Sequence, residues 1–338
     1  MNISFIGAGR WATTLALILN RKNHKIVMWE GLAERYEKIT NQKTIAELPD
    51  NITLPSTITI TNNLELALES PEIIVLAIPS QVLRSVLTKF FSFRIDTRVI
   101  WVSAIKGIEN KTYKRMSEII KEFFPDAKIA VLTGPGIPYE IALGLPASLV
   151  VASAHQDVAY RIQHLLSYDN LRVYAQSDVV GAELGGAIKN VIAIAGGICD
   201  GLQLGDNAKA ALLTRGLAEI TRLGIAMNAN PMTFAGLAGI GDLIVTSYSR
   251  YSRNRYIGEK LAQGIPISSL LTTLNGVAEG ITTAISVKNL SDKMRLELPV
   301  INEICTILSQ STIDKPIETV IKESVARLMS RPLKSESE

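Results

Sequence analysis

Lys189 sits in the segment Glu183 to Asp200, where Ala187, Ile188, Val191, Ile192, Ala193 and Ile194 point in every helical direction. A helix that is apolar all round is normally buried, and a lysine within it is buried too. Desolvation disfavours the ammonium and can lower its pKa by about 3–5 units unless a carboxylate or bound anion compensates. A lysine in either state suits proton transfer near neutral pH. Gly185, Gly196 and Ala193 fall near the same helical stripe as Lys189 and Asp200. Each interior glycine costs roughly 1 kcal/mol against alanine. Gly185, Gly186, Gly196 and Gly197 therefore imply that a helix or a ligand approaches closely. The structural alternative is a core helix whose lysine snorkels to the surface.

Two further stretches carry polar groups that can converge on such a lysine. Phe234 to Thr246 is apolar and glycine-rich with one carboxylate, Asp242. A charge in those surroundings must be paired or hydrogen-bonded, so Asp242 is the natural partner of Lys189, the alternative being a helix or turn cap. The stretch Ser249 to Arg255 places three arginines, Arg250, Arg253 and Arg255, within six residues. Such clusters are often solvated faces or nucleic-acid contacts, but the rest of the chain shows no matching basic stripe. A phosphate site fits better. Arginine offers a rigid fork of donors, Ser252 and Asn254 add neutral donors, and the start of the following helix can complete an anion nest. The expected ligand is a small phosphorylated substrate, and Asn190, beside Lys189, is placed to orient it.

The elements that must position these groups divide into an α/β half and a helical half. Asn2 to Ile6 is a buried-type strand, followed by Gly7, Gly9, Arg10, Trp11 and Ala12 and then a helical run. In a strand, glycine turn and helix of this kind Gly7 permits the turn and Gly9 lets backbone approach a pyrophosphate. The small Ala12 allows close packing, and the phosphates sit on the helix N-terminus. A second strand, Lys25 to Trp29, ends in Glu30, placed for a ribose hydroxyl. Strands at 73–77, 98–102, 128–131, 148–152 and 171–174 alternate with helices, one of them near 112–122, and imply a doubly wound, Rossmann-like parallel sheet that binds a nucleotide at its carboxyl edge. That edge carries Pro79-Ser80, Ser103 to Lys106-Gly107 and Thr133-Gly134-Pro135-Gly136. From about Asp178 the pattern is helical, with segments at 179–203, 206–227, 253–263, 281–291, 298–308 and 314–328. The expected organisation is a dinucleotide-binding domain over 1–178, an all-α catalytic and substrate domain over 179–330, and a flexible tail over 331–338.

Composition narrows the function. The chain has 338 residues, 47% hydrophobic and 20% charged, with a net charge of +3. Two domains are the natural division of that length. The charge is too mild for a nucleic-acid or anionic-membrane partner. Cys199 and Cys305 have no metal-type spacing and read as inert core thiols of a reducing compartment. His24, His155 and His164 match no ligand or triad pattern and read as solvated, so no metal is expected. The first strand leaves no room for a signal peptide, and no apolar run is expected to reach the ~18 residues of a membrane span, which points to the cytoplasm.

The motifs resemble one family, the soluble bacterial NAD(P)-dependent glycerol-3-phosphate dehydrogenases. The resemblance covers nearly the whole chain and rests on Gly7 to Trp11, Ala77 to Gln81, Lys106 to Glu109, Glu183 to Asn190, Gly205 to Gly216, Gly236 to Thr246, Ser252 to Arg255 and Val277 to Gly280. It implies reversible reduction of dihydroxyacetone phosphate to sn-glycerol 3-phosphate, a phospholipid precursor, with NAD(H) or NADP(H). By resemblance Lys189 is the proton donor and acceptor, and Asp242 belongs to the same site. Lys106, Gly134, Ser252, Arg253 and Asn254 bind substrate, while Trp11, Lys106, Arg253, Val277 and Glu279 line the cofactor. A homodimer is implied as well. The chain departs from the family's usual pattern at Ala12, Gly136, Ile137 and Pro138, where glycine, serine, phenylalanine and alanine are usual. It also has Gly31 where a basic residue is common. Glu30 favours NADH over a 2′-phosphorylated cofactor, whereas Arg35 favours the reverse. The rivals are a related two-domain reductase of another small ketone or hydroxy acid, which would not need the Ser252 to Arg255 site, and a cofactor sensor without turnover.

Overall fold

The computed structural model describes residues 1–45, 48–273, 278–310 and 316–331. Eight strands, β1 (Asn2–Ile6), β2 (Lys25–Trp29), β3 (Ile58–Thr61), β4 (Ile73–Leu76), β5 (Ile100–Ser103), β6 (Lys128–Thr133), β7 (Ala147–Ala152) and β8 (Leu171–Gln176), form one sheet in the order β3-β2-β1-β4-β5-β6-β7-β8. Helices cover both faces. The central strands therefore read as unbroken apolar runs, as in Ile73-Ile74-Val75-Leu76, all buried. Strand order reverses between β1 and β4, which pair in register from Ile3↔Ile73 to Ile6↔Leu76. Leu76 in turn lies beside Ser103 of β5. The turns after β1, β4 and β5 thus open at one edge, where a sheet of this topology leaves a crevice. Gly7 makes the first of those turns: its φ is +110°, and a Cβ there would lie 2.5 Å from the Ala77 carbonyl oxygen.

The helical half is built around Val179–Gly201, a helix of 23 residues whose residues 181–199 are all buried. Its start is fixed by Asp178, whose side chain accepts from the Gly181 N–H at 2.9 Å and also from Asn230 N and Thr233 Oγ1. Helices Gly205–Ala226, Asp242–Tyr248, Arg253–Ala262 and Glu279–Met294 surround it. The tightest contact is with Arg253–Ala262. Gly197 lies against the Arg255 carbonyl and Gly258 against the Ile194 carbonyl, so a Cβ at either would strike backbone. Gly185 lies against the Ala238 carbonyl and Gly186 against Thr133. Close approach of other elements thus accounts for Gly185, Gly186 and Gly197, whereas a Cβ on Gly196 would make only ordinary contacts, the nearest with Ser247 at 3.4 Å. Between Gly205–Ala226 and Pro299–Gln310 the buried carboxylate of Glu219 accepts from Val300 N at 2.7 Å and Ile301 N at 3.0 Å, satisfying free donors at a helix start. Burial pushes its pKa up to about 7.

Several expectations are corrected. The sheet is not wholly parallel: β7 runs antiparallel to β6, because residues 134–146 stay at the carboxyl edge of β6 and never cross the sheet. The short edge strand β3 lies outside the strands expected. The helix expected near 112–122 is Met116–Phe123, since Ile108 first bridges back to Arg115. The stretch 234–246 is less irregular than its glycines suggest, with a π-helical turn over Leu237–Gly241 leading into Asp242–Tyr248. The final helix, Ile317–Met329, starts later than 314, and residues 314 and 315 lie outside the described residues, as do 332–338 of the expected tail. His24 is half-buried, and burial lowers its pKa, assisted by the chain N-terminus and Lys22 and opposed by Glu72. Val179–Gly201 is also long and apolar enough to cross a membrane, contrary to expectation, but 89% of its apolar stretch is buried inside the protein.

Candidate functional site

Asp242 is the hub at which the two halves meet. Its helix follows the π-turn directly, which aims the carboxylate inward toward Val179–Gly201. Lys189 Nζ donates to Asp242 Oδ1 at 2.5 Å and to Thr246 Oγ1 at 2.5 Å. Lys106 Nζ, from the turn after β5, donates to the other oxygen, Oδ2, at 2.6 Å and to the Gly134 carbonyl at 3.2 Å. Thr133 Oγ1 lies 3.5 Å from Oδ2. One carboxylate therefore bridges two lysines, one from each half. The side chains of Asp242 and Lys189 are only 1% and 7% exposed, whereas Lys106 keeps 20%, so the Lys106 side leads to solvent.

The electrostatics follow from that wiring. Burial pulls the Lys189 pKa from 10.5 to about 7; Asp242 opposes the shift and the Lys106 charge adds to it. For Asp242 burial pushes upward, but the two ammonium groups outweigh it and hold the carboxyl below its ordinary range. The result is a permanent anion beside a lysine that can hold or release a proton near neutrality.

The Ser252 to Arg255 stretch is more divided than its composition suggests. Ser252 caps Arg253–Ala262, its Oγ accepting from Arg255 N at 3.3 Å, which leaves the hydroxyl hydrogen available. Asn254 donates to Asn190 Oδ1 at 3.0 Å and accepts from Gly280 N at 3.2 Å. That link ties the start of this helix to the residue following Lys189. Arg255 is bound to Asp200 at 2.6 Å and to Glu259 at 3.4 Å, and Arg250 is exposed and lies over its neighbour Tyr251 at 4.9 Å. Of the three arginines, only Arg253 has a side chain with no hydrogen bond to another described residue. Arg253 is thus the arginine of the cluster whose guanidinium is left for a ligand, because Arg255 is taken up by Asp200 and Glu259.

At the sheet edge the crevice suits a dinucleotide. A Cβ on Gly9 would meet nothing nearer than an Arg35 nitrogen at 4.0 Å, and the first turn of Arg10–Arg21 carries no acidic residue. The open start of that helix fits a pyrophosphate. Arg10 is half-buried there, Ala12 packs fully buried against the sheet, and Trp11 Nε1 is buried without a hydrogen-bond partner. Glu30 accepts from Leu32 N at 3.1 Å and lies 3.6 Å from Arg35, so the residues that argue for opposite cofactors are paired. Gly134 has φ +110° and closes the turn after β6. Glu279 receives the Ser80 N–H at 2.9 Å and the Ser80 hydroxyl at 2.5 Å, holding the turn after β4 to the helical half. Burial raises its pKa, against those hydrogen bonds and the nearby Arg253. Val277 lies outside the described residues. Among the described residues no cluster of histidine, cysteine and carboxylate is arranged to hold a metal.

Sequence reasoning missed Thr246 as a partner of Lys189, and it missed the partners of Lys106 and Asp200. Thr246 stands one helical turn from Asp242, a spacing that was legible. Lys106 was expected near substrate but not on Asp242, a pairing visible only once β5 and the helical half are assembled. Asp200, noted only for its helical stripe, receives Lys209 on both oxygens at 2.8 Å as well as Arg255.

Comparison with known proteins matches residues 2–159 to the NAD-dependent glycerol-3-phosphate dehydrogenase N-terminus and residues 178–320 to the C-terminus of the same family. The chain is 42% identical over 337 residues to glycerol-3-phosphate dehydrogenase [NAD(P)+] of Citrifermentans bemidjiense, covering 99% of this chain and 98% of that protein. It is 43% identical to the protein of the same name from Geobacter sp. strain M21, with the same coverage. The crystal structure of glycerol-3-phosphate dehydrogenase from Coxiella burnetii superposes with a TM-score of 0.91 at 32% identity, covering 98% of this chain and 99% of that one.

Proposed function

This chain belongs to the NAD-dependent glycerol-3-phosphate dehydrogenase family, and on that premise we propose how its own residues carry out the reaction. The enzyme interconverts dihydroxyacetone phosphate and sn-glycerol 3-phosphate with NAD(H) or NADP(H), supplying the glycerophospholipid backbone. When bound, the nicotinamide cofactor supplies or accepts the hydride at the carbonyl carbon. In reduction Lys189 gives its proton to the oxygen that becomes alkoxide, and in oxidation its neutral amine takes that proton back. Lys106, the more exposed lysine on Asp242, adds positive charge where the oxyanion develops. Asp242 keeps both lysines aimed and offsets their mutual repulsion, and Thr246 fixes the Lys189 ammonium from the other side. Arg253, with the Ser252 hydroxyl and the remaining amide hydrogen of Asn254, holds the substrate phosphate. Remote binding there orients the carbonyl for the chemistry. The observation that carries this reading is the shared Asp242 carboxylate, because a non-catalytic cofactor sensor has no use for a lysine held near its neutral point.

The crevice between β1 and β4 would hold the nucleotide, the Gly9 turn its pyrophosphate, with Trp11, Glu279 and Ser80 as further lining. Glu30 tilts selection toward NADH, and Arg35 keeps NADPH usable. Domains over 1–178 and 179–330 suit this division of labour. Two free thiols fit a cytoplasmic enzyme, and Ile244 and Tyr248, exposed one turn apart on one helix, fit a homodimer contact. Sedimentation at working concentration checks the last point, and a monomer would overturn it.

The test of the activity follows loss of reduced-nicotinamide absorbance with dihydroxyacetone phosphate, using NADH and NADPH in parallel and unphosphorylated dihydroxyacetone as control. Phosphate-dependent turnover is expected, somewhat faster with NADH. Nucleotide binding without turnover would refute the reading.

A further inference from the structure

Residues 134–139, which include the departures at Gly136, Ile137 and Pro138, are held to the nucleotide-binding half at three points. The Gly134 carbonyl accepts from Lys106, and the Pro138 carbonyl accepts from Thr14 Oγ1 at 3.3 Å. Gly136 lies under Trp11, and a Cβ there would come within 2.9 Å of Leu149 Cδ2 and 3.1 Å of Trp11 Cη2. Pro138 starts the short helix Pro138–Ala142 and so fixes the direction of Tyr139. The Tyr139 ring stacks on Tyr251 with centroids 4.3 Å apart and planes 17° from parallel. Tyr251 is itself set in a built turn. Its N–H donates to Ser249 Oγ at 3.2 Å, Ser252 N donates to the Ser249 carbonyl at 3.1 Å, and Arg250 donates to the Tyr251 hydroxyl at 2.8 Å.

We propose that the Tyr139–Tyr251 stack is an inter-domain clasp that positions the Ser252 to Asn254 loop on the substrate phosphate. The proposal rests on the phosphate role given to that loop above. The first turn of Arg253–Ala262 is anchored from the core side by Arg255 on Asp200 and by Asn254 on Asn190. Arg253 has no such anchor among the described residues, and Tyr251 precedes it by two positions. The stack supplies the restraint from the opposite domain, so the guanidinium fork is presented at a fixed place relative to the sheet edge where the carbonyl must lie. Both tyrosines are positioning residues, acting through Arg253 rather than on the reacting atoms. The small Gly136 belongs to the same arrangement, since a larger residue would need Trp11 or Leu149 to shift.

The clasp has a signature that a purely structural contact lacks: it concerns only the phosphate. Tyr251→Ala is expected to raise KM for dihydroxyacetone phosphate about three- to tenfold, the worth of one aromatic pair. Inhibition by inorganic phosphate should weaken by the same factor. kcat/KM for unphosphorylated dihydroxyacetone should stay unchanged, because that substrate has no phosphate for the loop to hold. Tyr251→Phe keeps the stack and should behave as wild type. Tyr139→Ala, on a half-exposed ring, should reproduce the KM effect, and the double variant should add nothing to it. An unchanged KM in both alanine variants, or equal losses on both substrates, would overturn the clasp. Absence of phosphate-dependent turnover in the wild-type enzyme would instead overturn the functional reading on which it rests, so the two failures are distinct.

Discussion

Two lysine–aspartate clusters lie eleven residues apart along Val179–Gly201, three helical turns on one stripe, and they are wired for opposite ends. At the first, Lys189 shares the carboxylate of Asp242 with Lys106, one oxygen each, and its pKa falls to about 7. At the second, Lys209 takes both oxygens of Asp200 at 2.8 Å and lies 4.1 Å from the Tyr248 ring centroid, while Arg255 shares one oxygen. The ingredients match: a buried lysine, a carboxylate and a second cation. The difference is how many carboxylate oxygens each lysine takes, one for Lys189 and two for Lys209, and where the second cation leads. Lys209 is held by both oxygens of one carboxylate and by an aromatic ring. Lys189 is desolvated, faces another ammonium, and opens through Lys106 toward the substrate cleft. A buried lysine becomes chemistry when its compensation is shared, and an anchor when its compensation is complete.

Removing the reactive lysine should separate the clusters most sharply. Lys189→Met keeps the apolar bulk and leaves Asp242 paired with Lys106, so the protein should fold. Its kcat should fall about 10²- to 10⁴-fold, the span of a lost general acid, with NADH affinity retained in a fluorescence titration. Near-normal turnover would remove Lys189 from the proton-transfer role. Asp242→Asn comes next. It leaves two ammonium groups facing each other without their anion, further disfavouring the charged form of Lys189. A loss of about 10²-fold in reduction at neutral pH is expected, with a smaller loss in oxidation. Equal losses in both directions would show that Asp242 acts on geometry alone.

The pH dependence tests the same asymmetry with the protein intact. Reduction needs the ammonium, so its kcat should fall about tenfold per unit as pH rises above about 7. Oxidation needs the neutral amine and should rise through the same region to a plateau. Stability carries the matching sign. The Lys189 pKa is depressed on folding, so between about 7 and 10.5 the unfolded chain binds the extra proton, and this group's contribution to stability improves as pH rises through that window. Lys189→Met should abolish both trends.

Much of this is legible in the sequence alone, and the boundary is physical. The nucleotide half was readable because strand, glycine turn and helix are local signals, and Gly7 has one conformational reason to be glycine. Lys189 was readable because a charge in an all-apolar helix has few explanations. Asp242 as its partner followed from scarcity, being the one carboxylate in an apolar stretch. What escaped depends on assembly. No spacing relates Lys106 to Asp242, which lie 136 residues apart and meet only where the β5 turn docks against the helical half. The three arginines looked alike in sequence because a helix start sends neighbouring side chains to different faces, and only docking onto Val179–Gly201 decides that Arg255 turns inward and Arg253 does not. Antiparallel β7 escaped for the same reason, since an apolar strand carries no record of its direction.

The smallest expected effect comes from the second cluster and is the most informative about its purpose. Lys209→Met removes a charge whose side chain is 5% exposed, yet Asp200 keeps Arg255, so no carboxylate is stranded. The cost should therefore be about 1–3 kcal/mol of stability, at the level of lost hydrogen bonds rather than an abandoned buried ion. It should register as a lower denaturant midpoint at unchanged slope. The chemistry is untouched, because Lys189 and Asp242 lie three turns away, so kcat and its pH profile should be those of the wild type. KM for the phosphorylated substrate should rise at most a few-fold, as Arg255 loosens and the first turn of Arg253–Ala262 gains freedom. If kcat instead fell as far as in Lys189→Met, the two clusters would be one proton-handling chain along the helix, and the distinction between shared and complete compensation would not hold.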